Sequence, residues 1–309
     1  MYPRRVENVG RMTTPAERYA AAKLRGQHPV TTEFLLTFDF EFDPFQITAC
    51  HAVEDGKGVL VAAPTGAGKT VVGEFAAFFA LQAGKKCFYT TPIKALSNQK
   101  YSEFVAKFGE DRVGLLTGDT SINGEADILV MTTEVLRNML YAGSNTLTNL
   151  GCVVMDEVHY LADKFRGAVW EEVLIHLMES VQVISLSATV SNAEEFGEWL
   201  GEVRGETEVI VSEIRPIPLF QHVLIGNRLM DLFDQPGKIN PEILQREREA
   251  IRRSSLGRNR RGRFSEPSDR MSRAEIIEKL QRENLLPAIT FIFSRVGCDA
   301  AVKQCLHAG

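Results

Sequence analysis

The stretch from Val59 to Thr70 reads VLVAAPTGAGKT, in which an apolar run leads into a glycine-rich turn that ends in Lys-Thr. Gly66 and Gly68 allow successive backbone N–H groups to turn inward, where they can cradle phosphate oxygens. Lys69 adds a positive charge toward the β- and γ-phosphates, and the Thr70 hydroxyl can ligate Mg²⁺. The stretch therefore predicts a nucleoside triphosphate site that consists of Pro64, Thr65, Gly66, Ala67, Gly68, Lys69 and Thr70.

A chance glycine-rich turn is the competing interpretation of this stretch. The general phosphate-loop pattern begins with glycine, whereas this chain has Ala63 at that position. A strand candidate precedes the turn, however, and a helix candidate follows it, so the helix N-terminus would face the same anion. This context favours the phosphate loop.

A second stretch, CVVMDEVHY, places two acids where an apolar strand should end. Asp156 is positioned to organise a Mg²⁺ shell, and Glu157 to orient or deprotonate an attacking water. An acidic loop after a core strand is the alternative, but the upstream phosphate loop favours a hydrolytic pair on a neighbouring strand. Lys69, Asp156 and Glu157 are therefore the predicted catalytic groups, with Thr70 and Asp156 as the Mg²⁺ ligands.

Both stretches lie within a regular alternation of short apolar runs and amphipathic segments. The runs VLVAA, CFYTT, VGLLT, DILVMT, CVVMD and VISLSAT predict strands. Helical patterns such as TVVGEFAAFFALQ, KALSNQKYSEFVAKF and AVWEEVLIHLME lie between most of them. Near-continuous apolar strands separated by helices predict an α/β fold with a parallel sheet covered on both faces. Ligands bind at the carboxyl ends of the strands in such sheets.

The composition divides the first two thirds of the chain into three parts. Residues 1–30 are a polar lead-in with one short helix, and residues 31–212 are the α/β domain. Residues 213–219, EIRPIPL, contain two prolines and read as a linker.

Residues 220–309 begin a second α/β unit, which we expect to be incomplete because the chain ends soon after its second strand candidate. LFQHVLI and the apolar run AITFIF (288–293) predict strands, and SRAEIIEKLQRENL predicts a helix. An arginine-rich insertion at about 226–273 is expected to be mobile over part of its length. Its most basic part, 252–263, is either an arm for nucleic acid or a solvated insertion.

The totals exclude several classes of protein. A net charge of −5 over 309 residues argues against a polycation, so any phosphate contact must come from local patches. The five cysteines form no CxxC pair, which argues against a zinc site or a disulfide framework, and three of them are expected to be buried thiols. No apolar run is long enough to span a membrane, and we expect a cytoplasmic protein without membrane contact.

Several motifs together resemble the superfamily 2 helicases of the DExH type. They are the phosphate loop APTGAGKT, the box Asp156-Glu157-Val158-His159 and the stretch LSAT that ends at Thr189. FEFDPFQ (40–46) is similar to the adenine-recognising motif of the superkiller-like branch. TPIKALSNQK, LLTGD and MTTEVLRNMLY look like the strand-contacting motifs of that branch, and the match extends to the actinobacterial HelY helicases.

The resemblance implies roles for individual residues. Gln46 and Phe40 would recognise and stack on the adenine of ATP, while Phe42 is more readily explained as a core residue. His159, Ser187, Ala188 and Thr189 would couple nucleotide hydrolysis to strand binding. The residues implied to grip a nucleic-acid backbone are Pro92, Lys94, Asn98, Thr117, Gly118, Thr132, Thr133, Arg137, Ser294 and Arg295.

The resemblance implies an RecA-like fold and a monomeric ATP-dependent and Mg²⁺-dependent helicase that translocates 3′-to-5′ along single-stranded nucleic acid, with RNA favoured. It also implies RNA-processing or RNA-degradation partners. FIFSR (291–295) resembles the first motif of a second motor domain, and the arginine fingers of the family lie in later motifs. We therefore expect an N-terminal piece that hydrolyses ATP slowly. A DNA helicase and a nucleotide-gated binding module remain the alternatives.

Overall fold

The computed structural model describes residues 26–163, 167–188, 192–235, 237–256 and 271–308. Chain contacts divide it into two compact units, Met1–Ile217 and Pro218–Gly309. The short helix expected within residues 1–30 lies largely outside the described residues. The first described helix, however, begins at Pro29 and buries Phe34, so the folded unit includes the end of the expected lead-in.

The first unit contains an eight-stranded sheet in which all neighbours are parallel except β4, which pairs antiparallel with β3. The strands are β1 (Gly58–Ala62), β2 (Lys86–Thr91), β3 (Val113–Leu116), β4 (Ser121–Ile122), β5 (Ile128–Thr132), β6 (Leu150–Met155), β7 (Gln182–Ser187) and β8 (Thr207–Val211). Their spatial order is β4-β3-β5-β2-β6-β7-β1-β8. The predicted parallel α/β architecture is confirmed.

In the described part of this unit, seven helices with assigned bounds connect or flank the strands. They are α1 (Pro29–Leu35), α2 (Pro44–Glu54), α3 (Thr70–Gln82), α4 (Lys94–Phe108), α5 (Thr133–Ala142), α6 (Gly167–His176) and α7 (Ala193–Arg204). The bounds of α3 and α4 coincide with the predicted helical stretches. Pro44 at the first position of α2 and the capping box between Asp43 and Gln46 explain where that helix starts.

Side chains alternate across the sheet and build a core on each face. On β1, Val59 and Val61 join one buried cluster, to which α1–α4 contribute, whereas Leu60 joins the other, to which α5–α7 contribute. Trp170 is buried in the second cluster, and Trp199 packs against that cluster. Because both faces are covered, the functional groups of this sheet are confined to the ends of its strands.

The residues described in the second unit form two short antiparallel pairs and three helices. Its elements are β9 (His222–Ile225), β10 (Arg228–Asp231), β11 (Phe233–Gln235), β12 (Lys238–Ile239), α8 (Pro241–Leu256), α9 (Arg273–Arg282) and α10 (Arg295–Ala308). The part of the arginine-rich insertion up to residue 256 thus forms regular structure, while residues 257–270 lie outside the described residues. The predicted strand at 219–225 starts later, at His222.

The predicted strand at 288–293 is wrong. This segment has no regular structure, and Ile289, Phe291 and Phe293 are almost fully exposed. A strand requires a partner for its backbone hydrogen bonds. The strands described in the second unit pair with one another instead, as β9 with β10 and β11 with β12.

Candidate active site

The phosphate loop lies between the end of β1 and the start of α3, as predicted. Gly66 and Gly68 both have positive φ, 85° and 84°. A glycine reaches this conformation without the steric cost that a side chain would add. The two turns direct the loop around the N-terminus of α3, which is the arrangement that binds anions.

Lys69 is buried beneath this loop. Its ammonium donates to the carbonyl oxygens of Ala63 at 2.7 Å and of Pro64 at 3.1 Å. Burial lowers the pKa of Lys69, and the charges of Glu157 and Asp156 act in the opposite direction. The lysine is therefore poised between the loop carbonyls and the carboxylate pair, and a phosphate would compete with the carbonyls for its protons.

Gln46 lies against the same loop from the α2 side. Its amide nitrogen donates to the Gly68 carbonyl at 3.0 Å, and its amide oxygen accepts from the Asp43 N–H at 2.9 Å. Phe40 is half exposed, with its ring 5.0 Å from that of Phe42, which packs on the core as expected. The predicted adenine-recognising residues thus adjoin the phosphate loop, and Gln46 also links α2 to it.

Asp156 follows β6 and has both carboxylate oxygens oriented by hydrogen bonds. The Tyr89 hydroxyl donates to Oδ2 at 2.7 Å, and the Glu157 N–H donates to Oδ1 at 2.9 Å. Tyr89 is fully buried on β2, and burial followed by the charge of Asp156 raises the pKa of its phenol. Tyr89 belongs to none of the predicted roles, and sequence reasoning missed it because it reads as an ordinary strand residue.

The acids do not lie on a strand adjacent to β1, contrary to expectation. β7 lies between β6 and β1 in the sheet and pairs with both. The carboxylates still reach the phosphate loop electrostatically, since they act on the pKa of Lys69. Strand order depends on long-range pairing, which residue spacing does not encode.

Glu157 adopts a left-handed backbone conformation, with φ 54° and ψ 42°. A non-glycine residue in this region is strained, and such strain is concentrated at functional sites. Burial raises the pKa of Glu157, and the Asp156 charge acts in the same direction. Its buried Oε2 has no hydrogen-bond partner among the described residues. Its close contact is the ring nitrogen of His159, and a buried carboxylate beside Asp156 fits the chemistry of a site that takes water and a hard cation.

His159 joins the acidic turn to the end of β7. Its Nδ1 lies 3.3 Å from Glu157 Oε2 and accepts a 3.5 Å hydrogen bond from the Ala188 N–H. The same nitrogen serves the two contacts in different states: without a proton it accepts from Ala188, and with a proton it donates to Glu157. Ser187 is buried at the end of β7. Thr189 lies outside the described residues. The structure thus brings His159 and Ala188 together, as the coupling role requires.

The comparisons with known proteins agree with this geometry. The sequence model of the DEAD/DEAH box helicase family matches residues 43–196, which include the phosphate loop and both acids. This region is a DEAD/DEAH box helicase domain.

Relatives extend beyond the helicase domain. Probable helicase HelY of Mycobacterium tuberculosis is 58% identical over 89% of this chain and 32% of that protein. An Arabidopsis thaliana chloroplastic ATP-dependent RNA helicase, DExH15, is 41% identical over 88% of this chain and 26% of that protein. Superkiller complex protein 2 of Homo sapiens is 41% identical over 84% of this chain and 22% of that protein. The resemblance to HelY and to the superkiller-like branch is confirmed, and the chain spans about a third of the length of HelY.

Among solved structures, the DUF1998 helicase MrfA bound to DNA aligns with a TM-score of 0.50 at 21% identity. The alignment covers 60% of this chain and 29% of that one. At this identity the likeness concerns the fold alone.

Several residues that are predicted to contact a nucleic-acid backbone lie at the ends of β2, β3 and β5. This is the same edge of the sheet as the phosphate loop. Lys94, at the start of α4, contacts the carboxylate of Asp119, which also accepts from the Thr117 hydroxyl at 3.1 Å. The hydrogen bond from Lys94 lowers the pKa of Asp119. Asp119 therefore links two predicted contact residues, and it was missed although its motif was recognised.

The remaining predicted contact residues differ in their accessibility. Asn98 and Gly118 are exposed, and Arg137 lies 3.8 Å from Glu172. Thr133 is buried, and its hydroxyl donates to the Thr91 carbonyl at 3.4 Å, so this side chain does not face a bound strand. The other buried residues of the predicted set are Pro92 and Thr132.

Ser294 and Arg295 belong to the second unit. The Ser294 hydroxyl accepts a 3.1 Å hydrogen bond from the Gly297 N–H at the start of α10. Ser294 thus caps a helix within its own unit. Neither residue lies within the helicase domain, which matches residues 43–196 of the first unit.

Proposed function

We propose that this chain is the nucleotide-binding part of an ATP-driven motor that moves 3′-to-5′ along single-stranded nucleic acid, with RNA preferred. The observation that carries the proposal is the arrangement around Glu157. Its strained backbone, its buried carboxylate and its contact with His159, which also contacts Ala188, suit a water-activating group whose state is sensed elsewhere. The preference for RNA rests on the similarity to DExH15, an RNA helicase, and on the motif resemblance.

Each group in the site has a part in the proposed hydrolysis. Lys69 and the backbone N–H groups of the loop bind the phosphates of ATP. Thr70 and Asp156 would hold Mg²⁺, which when bound neutralises charge on the phosphates. Glu157 accepts a proton from the attacking water, and its raised pKa makes it a stronger base than an ordinary glutamate.

The exposed residues at the ends of β2 and β3 would contact the backbone of a bound strand. Lys94 and Thr117 supply a cation and a hydroxyl, which position a phosphate without reading sequence. A bound phosphate would have to compete with Asp119 for both of them. We therefore expect binding of nucleic acid to weaken steeply with salt.

The test measures binding of labelled single-stranded RNA and DNA of one sequence to the chain, with and without a non-hydrolysable Mg-ATP analogue. We expect the analogue and RNA to strengthen each other's binding, by roughly fivefold or more. Lys69→Ala should abolish the effect of the analogue. Lys85→Ala, which changes a lysine that precedes β2, should leave that effect intact.

Other outcomes would favour the alternatives. Equal or tighter binding of DNA would support a DNA translocase. Nucleotide binding without any effect on nucleic acid would support a nucleotide-gated module, although such a module has no need for the acid Glu157. ATP turnover with and without RNA then separates the motor from a switch, since Glu157→Gln should abolish even slow turnover while it preserves binding.

A further inference from the structure

Lys100 is a largely buried cation at the phosphate loop, and although it ends the motif TPIKALSNQK, the resemblance implies no role for it. It lies on α4, and its side chain is 12% exposed. Its ammonium donates to the Thr70 hydroxyl at 3.2 Å and to Glu103 Oε2 at 2.7 Å. Burial and the Asp156 charge raise the pKa of Glu157, and the charge of Lys100 is among those that oppose this rise. Lys100 therefore acts on Thr70 and on Glu157. It does so from α4, which follows β2, whereas the phosphate loop follows β1.

The Thr70 oxygen is the group that a phosphate loop offers to Mg²⁺. An ammonium at 3.2 Å from this oxygen occupies one of its acceptor directions and repels a second cation nearby. Lys100 and Mg²⁺ thus compete for the same side of the loop. The charge of Lys100 also attracts the phosphates of a nucleotide, whether or not a metal accompanies them.

We propose that Lys100 is an intrinsic cation of the nucleotide site that competes with Mg²⁺ at Thr70 and so sets how strongly nucleotide binding depends on the metal. This inference rests on the nucleotide site proposed above. Glu103, three residues further along α4, is positioned to retain the ammonium when Thr70 binds the metal. The exchange requires a rotation of one side chain and no change in the fold.

The placement of Lys100 also connects two parts of the molecule. Lys94 begins α4 and lies among the residues expected to contact nucleic acid, and Lys100 lies farther along the same helix. The two lysines therefore share one helix.

The experiment compares the affinity for a fluorescent ADP in excess Mg²⁺ with its affinity in EDTA, for the wild-type chain and for Lys100→Met. Loss of the ammonium should weaken binding in EDTA and strengthen the contribution of Mg²⁺. The ratio of the two dissociation constants should rise about tenfold. Lys100→Gln, which can still donate to Thr70 without a charge, should behave like Lys100→Met, whereas Lys100→Arg should stay near the wild type.

Lys107→Met is the matched control, because Lys107 lies in the last turn of the same helix and contacts Glu74 and Phe38 away from Thr70. It should leave the ratio unchanged, and thermal unfolding should show that all variants are folded. An unchanged ratio in both Lys100→Met and Lys100→Gln, with the wild type binding normally, would overturn the role of Lys100 alone. Absence of nucleotide binding by the wild-type chain would overturn the proposed function as well.

Discussion

Tyr89 is a residue of β2 that contacts Asp156, one of the two predicted Mg²⁺ ligands. Its hydroxyl donates to Asp156 Oδ2 across neighbouring strands, since Tyr89 on β2 pairs with Val154 on β6. A hydrogen bond to a charged group contributes about 1.5–3 kcal/mol. The phenol therefore orients the carboxylate that we assign to Mg²⁺.

Substitution Tyr89→Phe should raise the Mg²⁺ concentration that gives half-maximal binding of nucleotide, by roughly fivefold or more, because Asp156 loses its orienting donor. Binding in EDTA should change little. The measurement is a Mg²⁺ titration with a fluorescent ADP. Tyr101→Phe, on a partly buried tyrosine of α4, is the control. An unchanged Mg²⁺ dependence would show that Asp156 needs no help from the phenol.

Gly66 and Gly68 have nearly the same positive φ but different surroundings. A Cβ at Gly68 would lie 2.6 Å from the Gln46 amide nitrogen, whereas one at Gly66 would meet nothing within 4 Å. Gly66→Ala should therefore cost about 1 kcal/mol in free energy of unfolding, from the positive φ alone. Gly68→Ala should cost about 1 kcal/mol more, since Gln46 must leave its place.

Urea denaturation of the two alanine variants measures this difference. The comparison is internally controlled, because φ differs by only one degree between the two positions. Equal destabilisation would mean that the contact between Gln46 and Gly68 adds nothing to stability.

Arg204, the last residue of α7, donates hydrogen bonds to backbone carbonyls of the segment between α6 and β7. Its guanidinium donates to the carbonyls of Leu177 at 2.6 Å, Met178 at 2.7 Å and Val181 at 2.8 Å. These carbonyls follow the end of α6 at His176, so they lie outside the hydrogen-bond ladder of that helix. One side chain therefore joins α7 to the segment that leads into β7, the strand that ends at Ser187.

Loss of this side chain in Arg204→Ala should lower the free energy of unfolding by about 2–4 kcal/mol, since several half-buried carbonyls lose their donor together. Arg112→Ala, at an exposed arginine of the same unit, should change it by less than about 0.5 kcal/mol. Chemical denaturation of both variants provides the measurement. A similar small effect at the two positions would show that water replaces Arg204 without cost.

The molecule as a whole concentrates its apolar core in one unit. All buried apolar residues among those described lie before Ile217, except Met230. The phosphate loop, both acids and Lys100 belong to this first unit. The second unit exposes the apolar side chains of Phe291 and Phe293 instead.

A fragment of residues 1–217 should therefore fold cooperatively and bind a fluorescent ADP with an affinity within about twofold of the whole chain. Thermal unfolding and nucleotide titration of the fragment measure both properties. A tenfold loss of affinity would mean that residues after 217 contribute to the site.

The local pattern of the sequence determined much of this protein. Glycine and lysine spacing predicted the phosphate loop, and apolar periodicity predicted α3 and α4 with their bounds, because both signals depend on residues close in the chain. The same reasoning identified Asp156 and Glu157, whose position after an apolar run needs no partner to be recognised.

Tertiary structure decided what depends on partners far along the chain. β7 enters between β6 and β1, Tyr89 meets Asp156, and Lys100 reaches Thr70 because separate strands and helices converge at one edge of the sheet. The segment 288–293 has the composition of a strand but does not form one, since a strand exists only with a neighbour that completes its hydrogen bonds. Such pairings are long-range contacts, and no single stretch of residues contains them.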